Sequence, residues 1–165
     1  MCLLEFDSQG HYCVTRDYID KIPPYAILSH TWGPDADEAT FKDLVKKTGC
    51  RKPGYDEVQF CGKQAKSDGL QCFWIDTCCI DKSNNTELSE AINTMFRWYS
   101  EAVKCYVYLP DVLIYDVSNK QSWESCFRKS RWFTMGWTLQ ELITSKSVKF
   151  FSKEGQKLGD KGSLE

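Results

Sequence analysis

The chain has 165 residues, 42% of them hydrophobic and 14% aromatic, with a net charge of −2. That is one ordinary domain with enough chain for a real core. Interspersed acids and bases leave no basic face for nucleic acid, no apolar run reaches membrane-span length, and the opening "MCLLEFDSQG" is not a secretory signal.

Residues 2–6 and 12–16 flank the turn "DSQGH", whose Gly10 suits a small N-terminal β-hairpin. Pro23 and Pro24 bar a helix before the short apolar run Tyr25–Ser29, which reads as a strand. "PDADEATFKDLVKKTG" (34–49) carries acids first, lysines last and Gly49 as a stop, with Phe41, Leu44 and Val45 on one face. That order predicts a helix. A second helix is expected from Asp56 to Ser67, ending at Gly69.

"QCFWIDTCCI" (71–80) is continuous enough in apolar character for a strand buried on both faces. Leu88, Ala91, Ile92, Met95, Phe96, Tyr99 and Ala102 then recur at helical spacing, with Asn84 and Glu87, or Thr86 alone, as the cap. "VKCYVYLPD" (103–111) is a further buried-type strand, and 116–130 a polar connection with one helical stretch. A helix within 130–143 and a strand over 147–152 follow. The glycine-rich stretch 153–165 reads as a frayed polar tail, or a linker from the domain at 1–152 to a further one.

Strands alternating with helices predict an α/β fold with a parallel sheet covered on both faces. The Tyr25–Ser29 strand is expected in the middle.

The nine cysteines are odd in number, include no C-x-x-C pair and lie largely inside apolar runs, as small buried hydrophobes do. They predict reduced thiols in a cytoplasmic protein. His11, Cys13 and His30 match no familiar zinc spacing, so no metal is expected.

In parallel α/β sheets ligands bind beyond the carboxyl ends of the strands. The residues falling there are Ser29–Gly33, Asp76–Cys79, the 81–85 loop, Pro110 and Asp111, followed by Trp132, Trp137 and Glu141. Polar and aromatic groups unexpected in a core thus gather at one edge of the sheet.

Three stretches, "YAILSHTWG" (25–33), "FWIDTCCIDKSNNTELSEAINTMFRWYSEA" (73–102) and "SRWFTMGWTLQELI" (130–143), resemble the signature blocks of the fungal heterokaryon-incompatibility (HET) domain. The family usually has a basic residue where Met135 stands and an Ala-Pro pair where Thr144-Ser145 follow; neither departure touches Trp137 or Glu141. The resemblance implies programmed cell death when unlike fungal cells fuse. It also implies homo-oligomerisation and partnership with other HET or nucleotide-binding oligomerisation-domain proteins.

The element order is also similar to that of Toll/interleukin-receptor (TIR) domains. This likeness implies a TIR-like, flavodoxin-like, mostly parallel sheet with helices on both faces. In NAD-cleaving TIR domains a tryptophan four residues before a catalytic glutamate opens a helix, and "GWTLQEL" has that spacing, which carries the role to Glu141. The resemblance makes NAD a substrate rather than a tightly bound cofactor; position at the strand ends marks Ser29, His30, Trp32, Asp76 and Trp137 as the residues expected to bind it.

The chemistry is self-consistent. Breaking the nicotinamide–ribose bond passes through an oxocarbenium-like centre that a carboxylate stabilises. Nicotinamide leaves without protonation, so one carboxylate suffices, and an indole on the same face offers a stacking surface. The expected geometry has Glu141 facing a cleft walled by His30, Trp32 and Asp76, with Trp137 at the rim. The helix beginning near Thr134 would direct its N-terminal end at the strand ends.

Plain structural roles compete at each position. Glu141 suits a solvated helix face, Trp137 a core aromatic, and His30 a hydrogen-bonded structural histidine. A cysteine nucleophile at Cys78-Cys79, served by His30 and Asp76, lacks any local signature. From a different class comes a non-enzymatic, self-associating signalling module in which Trp137 and Glu141 only pack.

Overall fold

Tyr25–His30 is the middle strand of a seven-stranded sheet in the computed structural model, which describes residues 1–114 and 120–163, backbone only at 120–122. In chain order the elements are β1 (Leu4–Phe6), β2 (Tyr12–Val14), β3 (Tyr25–His30), α1 (Phe41–Val45), α2 (Tyr55–Ser67) and β4 (Cys72–Trp74). There follow α3 (Asp76–Cys79), α4 (Asn85–Glu101), β5 (Lys104–Leu109), α5 (Lys120–Arg128) and a 3₁₀ turn (Arg131–Thr134). Last come α6 (Gly136–Thr144), β6 (Val148–Ser152) and β7 (Lys157–Asp160).

The strand order is β2-β1-β4-β3-β5-β6-β7. Four adjacent strands, β4, β3, β5 and β6, are mutually parallel, with Ile27 opposite both Trp74 and Cys105. The N-terminal hairpin joins antiparallel to β4 through β1, and β7 closes the other edge antiparallel to β6. The fold is therefore α/β with a mixed sheet.

Alternation along the strands sorts the core into two layers. Tyr106 and Phe151 pack with Phe60 of α2 on one face, at centroid distances of 6.5 and 5.0 Å. On the other, Trp74 meets Trp98 of α4 at 5.4 Å, and Phe150 meets Trp132 at 5.7 Å. The hairpin lies against α2 so closely that a Cβ on Gly62 would come within 2.3 Å of the Tyr12 ring. Gly69, with φ 77°, takes the left-handed conformation that ends α2.

Several elements differ from the sequence reading. The predicted 34–49 helix shrinks to Phe41–Val45, opened by a capping box between Thr40 and Asp43. Its leading acids are not a helix front, because Glu38 turns inward and accepts from the Gly33 amide at 2.6 Å. The "CFWID" strand stops at Trp74, and Asp76–Cys79 is a single buried helical turn. A short apolar run does not distinguish strand from buried helix by periodicity.

The stretch read as a frayed tail instead contributes β7, held by backbone pairing and the buried side chain of Leu158, a signal too small to register in a polar composition. On α4, Asn84 caps as expected, accepting from the Thr86 and Glu87 amides, but Ile92 and Phe96 are exposed while Trp98 is buried. Residues 115–119, where the polar connection begins, and 164–165 lie outside the described residues; α5 is the helical stretch in the remainder. Among the described residues no helix is long and apolar enough to cross a membrane.

Candidate functional site

Consecutive residues at the end of β3 point to opposite faces of the sheet, and this splits the roles of Ser29 and His30. Ser29 is buried and faces α6. Its hydroxyl accepts from Trp132 Nε1 at 2.7 Å and donates to Glu141 Oε2. His30 turns toward α2, where its Nε2 lies 3.2 Å from Glu57 Oε2.

Glu141, on the second turn of α6, lines a cleft of about 850 Å³, its open mouth included. Its walls include His30 and Trp32 from the end of β3, Asp76 from α3, Tyr99 from α4, and Trp137 from α6. Thus five of the six residues singled out from sequence line one cleft. Ser29 does not; it lies behind Glu141 and orients it.

The indoles occupy contrasting positions. Trp137 is 59% exposed, which excludes the core role. Trp32 is 47% exposed, donates its Nε1–H to Asp76 Oδ2 at 2.8 Å, and carries the Lys82 ammonium 4.5 Å from its ring centroid. Two exposed tryptophans and a cation therefore border the mouth, above apolar side chains of α4 such as Met95 and Ile92.

The buried end is dominated by negative charge. Burial pushes the Glu141 carboxyl up to about 7, the Asp76 charge adds to the rise, and the Ser29 hydrogen bond opposes it. Glu57 is likewise pushed up to about 7 by burial, against the His30 charge. Burial alone would lower His30, but the charges of Glu57, Asp76, Glu38 and Glu141 outweigh it and raise the imidazole above its ordinary value. Perturbed groups converging in a cleft are what chemical sites require.

The cysteine alternative fails on geometry and charge. Cys78 is buried, donates to the Ala39 carbonyl at 3.2 Å, and burial pushes its thiol up to about 12, the reverse of what a nucleophile needs.

Sequence reasoning missed Glu38, Glu57 and Tyr99 as parts of this neighbourhood, while Lys82 belongs to the 81–85 loop it placed there. Glu38 and Glu57 look like solvated helix acids in the sequence, and only the inward turn of the 34–40 segment and the seating of α2 reveal them. Tyr99 registered as a core position; it is buried and gives its proton to the Leu28 carbonyl at 3.0 Å, beside the cleft.

Residues 25–113 match the heterokaryon incompatibility protein (HET) family profile. The whole chain is 56% identical over 168 residues to the vegetative incompatibility protein HET-E-1 of Podospora anserina, of which it spans 12% of the length. No solved structure matches. The resemblance of the three sequence blocks thus has independent support across the full chain, and the protein belongs to the HET family.

Proposed function

We propose that this HET domain cleaves NAD at the nicotinamide–ribose bond, with Glu141 as the catalytic residue. The observation that carries the reading is the Glu141 carboxylate at the wall of the cleft, fixed from behind by Ser29 and Trp132. The C1′–N bond breaks with its electron pair going to the nicotinamide nitrogen, which thereby loses its positive charge. The carboxylate then faces the positive ribosyl centre, a charge pairing strongest in a site shielded from water. Water adds to C1′, loses its proton and yields ADP-ribose.

The other residues have matching tasks. Trp32 and Trp137 offer planar faces to the nicotinamide and adenine rings, Lys82 supplies positive charge for the pyrophosphate, and Asp76 holds the Trp32 indole in place. The parallel β4-β3-β5-β6 order is consistent with a TIR-like arrangement, in which the site lies beyond the strand ends. In the cell this activity would serve allorecognition, depleting cytoplasmic NAD and killing fused, genetically unlike cells.

A second reading is a self-associating signalling module. It is favoured by Ile92, Phe96, Leu139 and Ile143, large apolar side chains left exposed on the neighbouring helices α4 and α6. Incubating the purified chain with millimolar NAD and following free nicotinamide by chromatography separates the two. Steady release supports the enzyme; none at any protein concentration, alongside self-association in light scattering, supports the module.

A further inference from the structure

Beyond the cleft, on the α2 side of His30, three groups from separate segments come together: His30 of β3, Glu38 of the loop before α1, and Glu57 of α2. One ligand atom from each lies within 4.8 Å of the others. The His30 side chain is 2% exposed and those of Glu38 and Glu57 are 11% and 13% exposed. We propose that this cluster binds one divalent transition-metal ion, through His30 Nε2 and the Glu38 and Glu57 carboxylates.

Unsatisfied atoms point there. His30 Nε2 and Glu38 Oε2 are both buried and without a hydrogen-bond partner. His30 Nε2 and Glu57 Oε2 are 3.2 Å apart, close enough for a hydrogen bond, yet they are not aligned for one. Atoms that approach without facing each other suit a common third centre better than a direct bond. Tetrahedral ligands at about 2.1 Å from a metal sit roughly 3.4 Å apart. The separations of 3.2 Å to Glu57 and 3.9 Å to Glu38 bracket that spacing.

Charge supports the same assignment. Among the described residues, the ion pairs of Glu38 and Glu57 go to His30 alone. One imidazolium balances only one of two buried carboxylates, and the other must be neutralised by a proton or by a cation. A divalent ion with a neutral imidazole balances both. Lys52 does not help, since its ammonium binds the Glu38 backbone carbonyl at 3.0 Å and Asp43 at 2.7 Å.

The surroundings complete a usable site. The free Glu38 oxygen is carried by a side chain that also fixes the Gly33 amide, so the ligand is anchored. His30 Nδ1 faces Asp76 Oδ1 at 3.9 Å, the side from which a carboxylate orients a metal-bound imidazole. Glu38 borders a second depression, shared with Asp35, Thr40, Thr77 and Asp81, that gives an ion a route from solvent. One nitrogen and two carboxylate oxygens suit Mn²⁺ or Zn²⁺. The ion would brace the wall of the cleft formed by His30 and Trp32 without itself lining it.

The test uses the whole chain stripped with a chelator and titrated with Mn²⁺ alone, read by loss of the free-ion electron paramagnetic resonance signal. Mn²⁺ is chosen because the nine thiols, which compete for Zn²⁺, have little affinity for it. The expected result is one Mn²⁺ per chain and a thermal midpoint that rises with ion concentration. Glu38→Gln and Glu57→Gln should each weaken binding at least about tenfold. Both variants remove repelling charge, so they should fold, which circular dichroism checks. Absence of binding at millimolar Mn²⁺, or undiminished binding in the E38Q/E57Q double variant, would overturn the proposal. Neither outcome bears on nicotinamide release, so this site and the NAD reading stand or fall separately.

Discussion

Ser29, 112 residues before Glu141 in the chain, donates its hydroxyl proton to the Glu141 carboxylate and is itself fixed by the buried Trp132 indole. Sheet and helix are thus joined at the Glu141 carboxylate on the wall of the cleft. Ser29→Ala removes the donor and leaves Trp132 Nε1 buried without a partner, at a cost of about 1–3 kcal/mol in stability. It also removes the hydrogen bond that opposes the rise of the Glu141 carboxyl. The pH–rate profile of nicotinamide release should therefore move its acid limb to higher pH.

In the proposed reaction the ionised form of Glu141 is the active one. With its carboxyl at about 7, the rate should fall about tenfold per pH unit below neutrality and level off above it. Stability runs the other way. A carboxyl raised from 4.5 to about 7 on folding stabilises the fold below its unfolded value and loses that contribution as pH rises through 7. Glu141→Gln, always neutral and still able to accept from Ser29, should therefore gain on wild type by about 1–3 kcal/mol in alkaline solution, with little difference near pH 4.5. Denaturant titrations at the two pH values measure this.

Asp76 contributes a like charge that raises Glu141. Asp76→Asn keeps an oxygen for the Trp32 indole while removing that charge, so the acid limb of the rate profile should move to lower pH. An unchanged limb would mean that burial, opposed by the Ser29 hydrogen bond, sets the Glu141 carboxyl without help from Asp76.

Trp132 and Trp137 separate packing from binding. Trp132 is 1% exposed, and truncation to alanine should cost about 3–5 kcal/mol. Trp137 is 59% exposed, so Trp137→Ala should change stability by no more than about 0.5 kcal/mol while raising KM for NAD. Chemical denaturation and steady-state kinetics on both variants give the two quantities.

Periodicity and punctuation made much of the fold legible. The apolar run at Tyr25–Ser29, the Asn84 cap and the Gly69 stop each coincide with a boundary of an observed element. What escaped was decided by tertiary contacts. The acids of 34–38 have the composition of a helix front, yet Glu38 finds the Gly33 amide and the His30 ring instead. The cleft residues were legible because strand ends collect functional groups, whereas the Glu38–Glu57 cluster depends on how α2 docks, which no local pattern encodes.

Catalysis by the Glu141 carboxylate in the cleft can be tested directly. Its most direct measurement is nicotinamide release from NAD by wild type and Glu141→Gln, side by side in mildly alkaline solution, with the thermal unfolding of both recorded. The expected result is release by wild type, a loss on the order of 10²-fold or more in the variant, and a variant at least as stable as wild type. A stable Glu141→Gln protein that releases nicotinamide at the wild-type rate would contradict it.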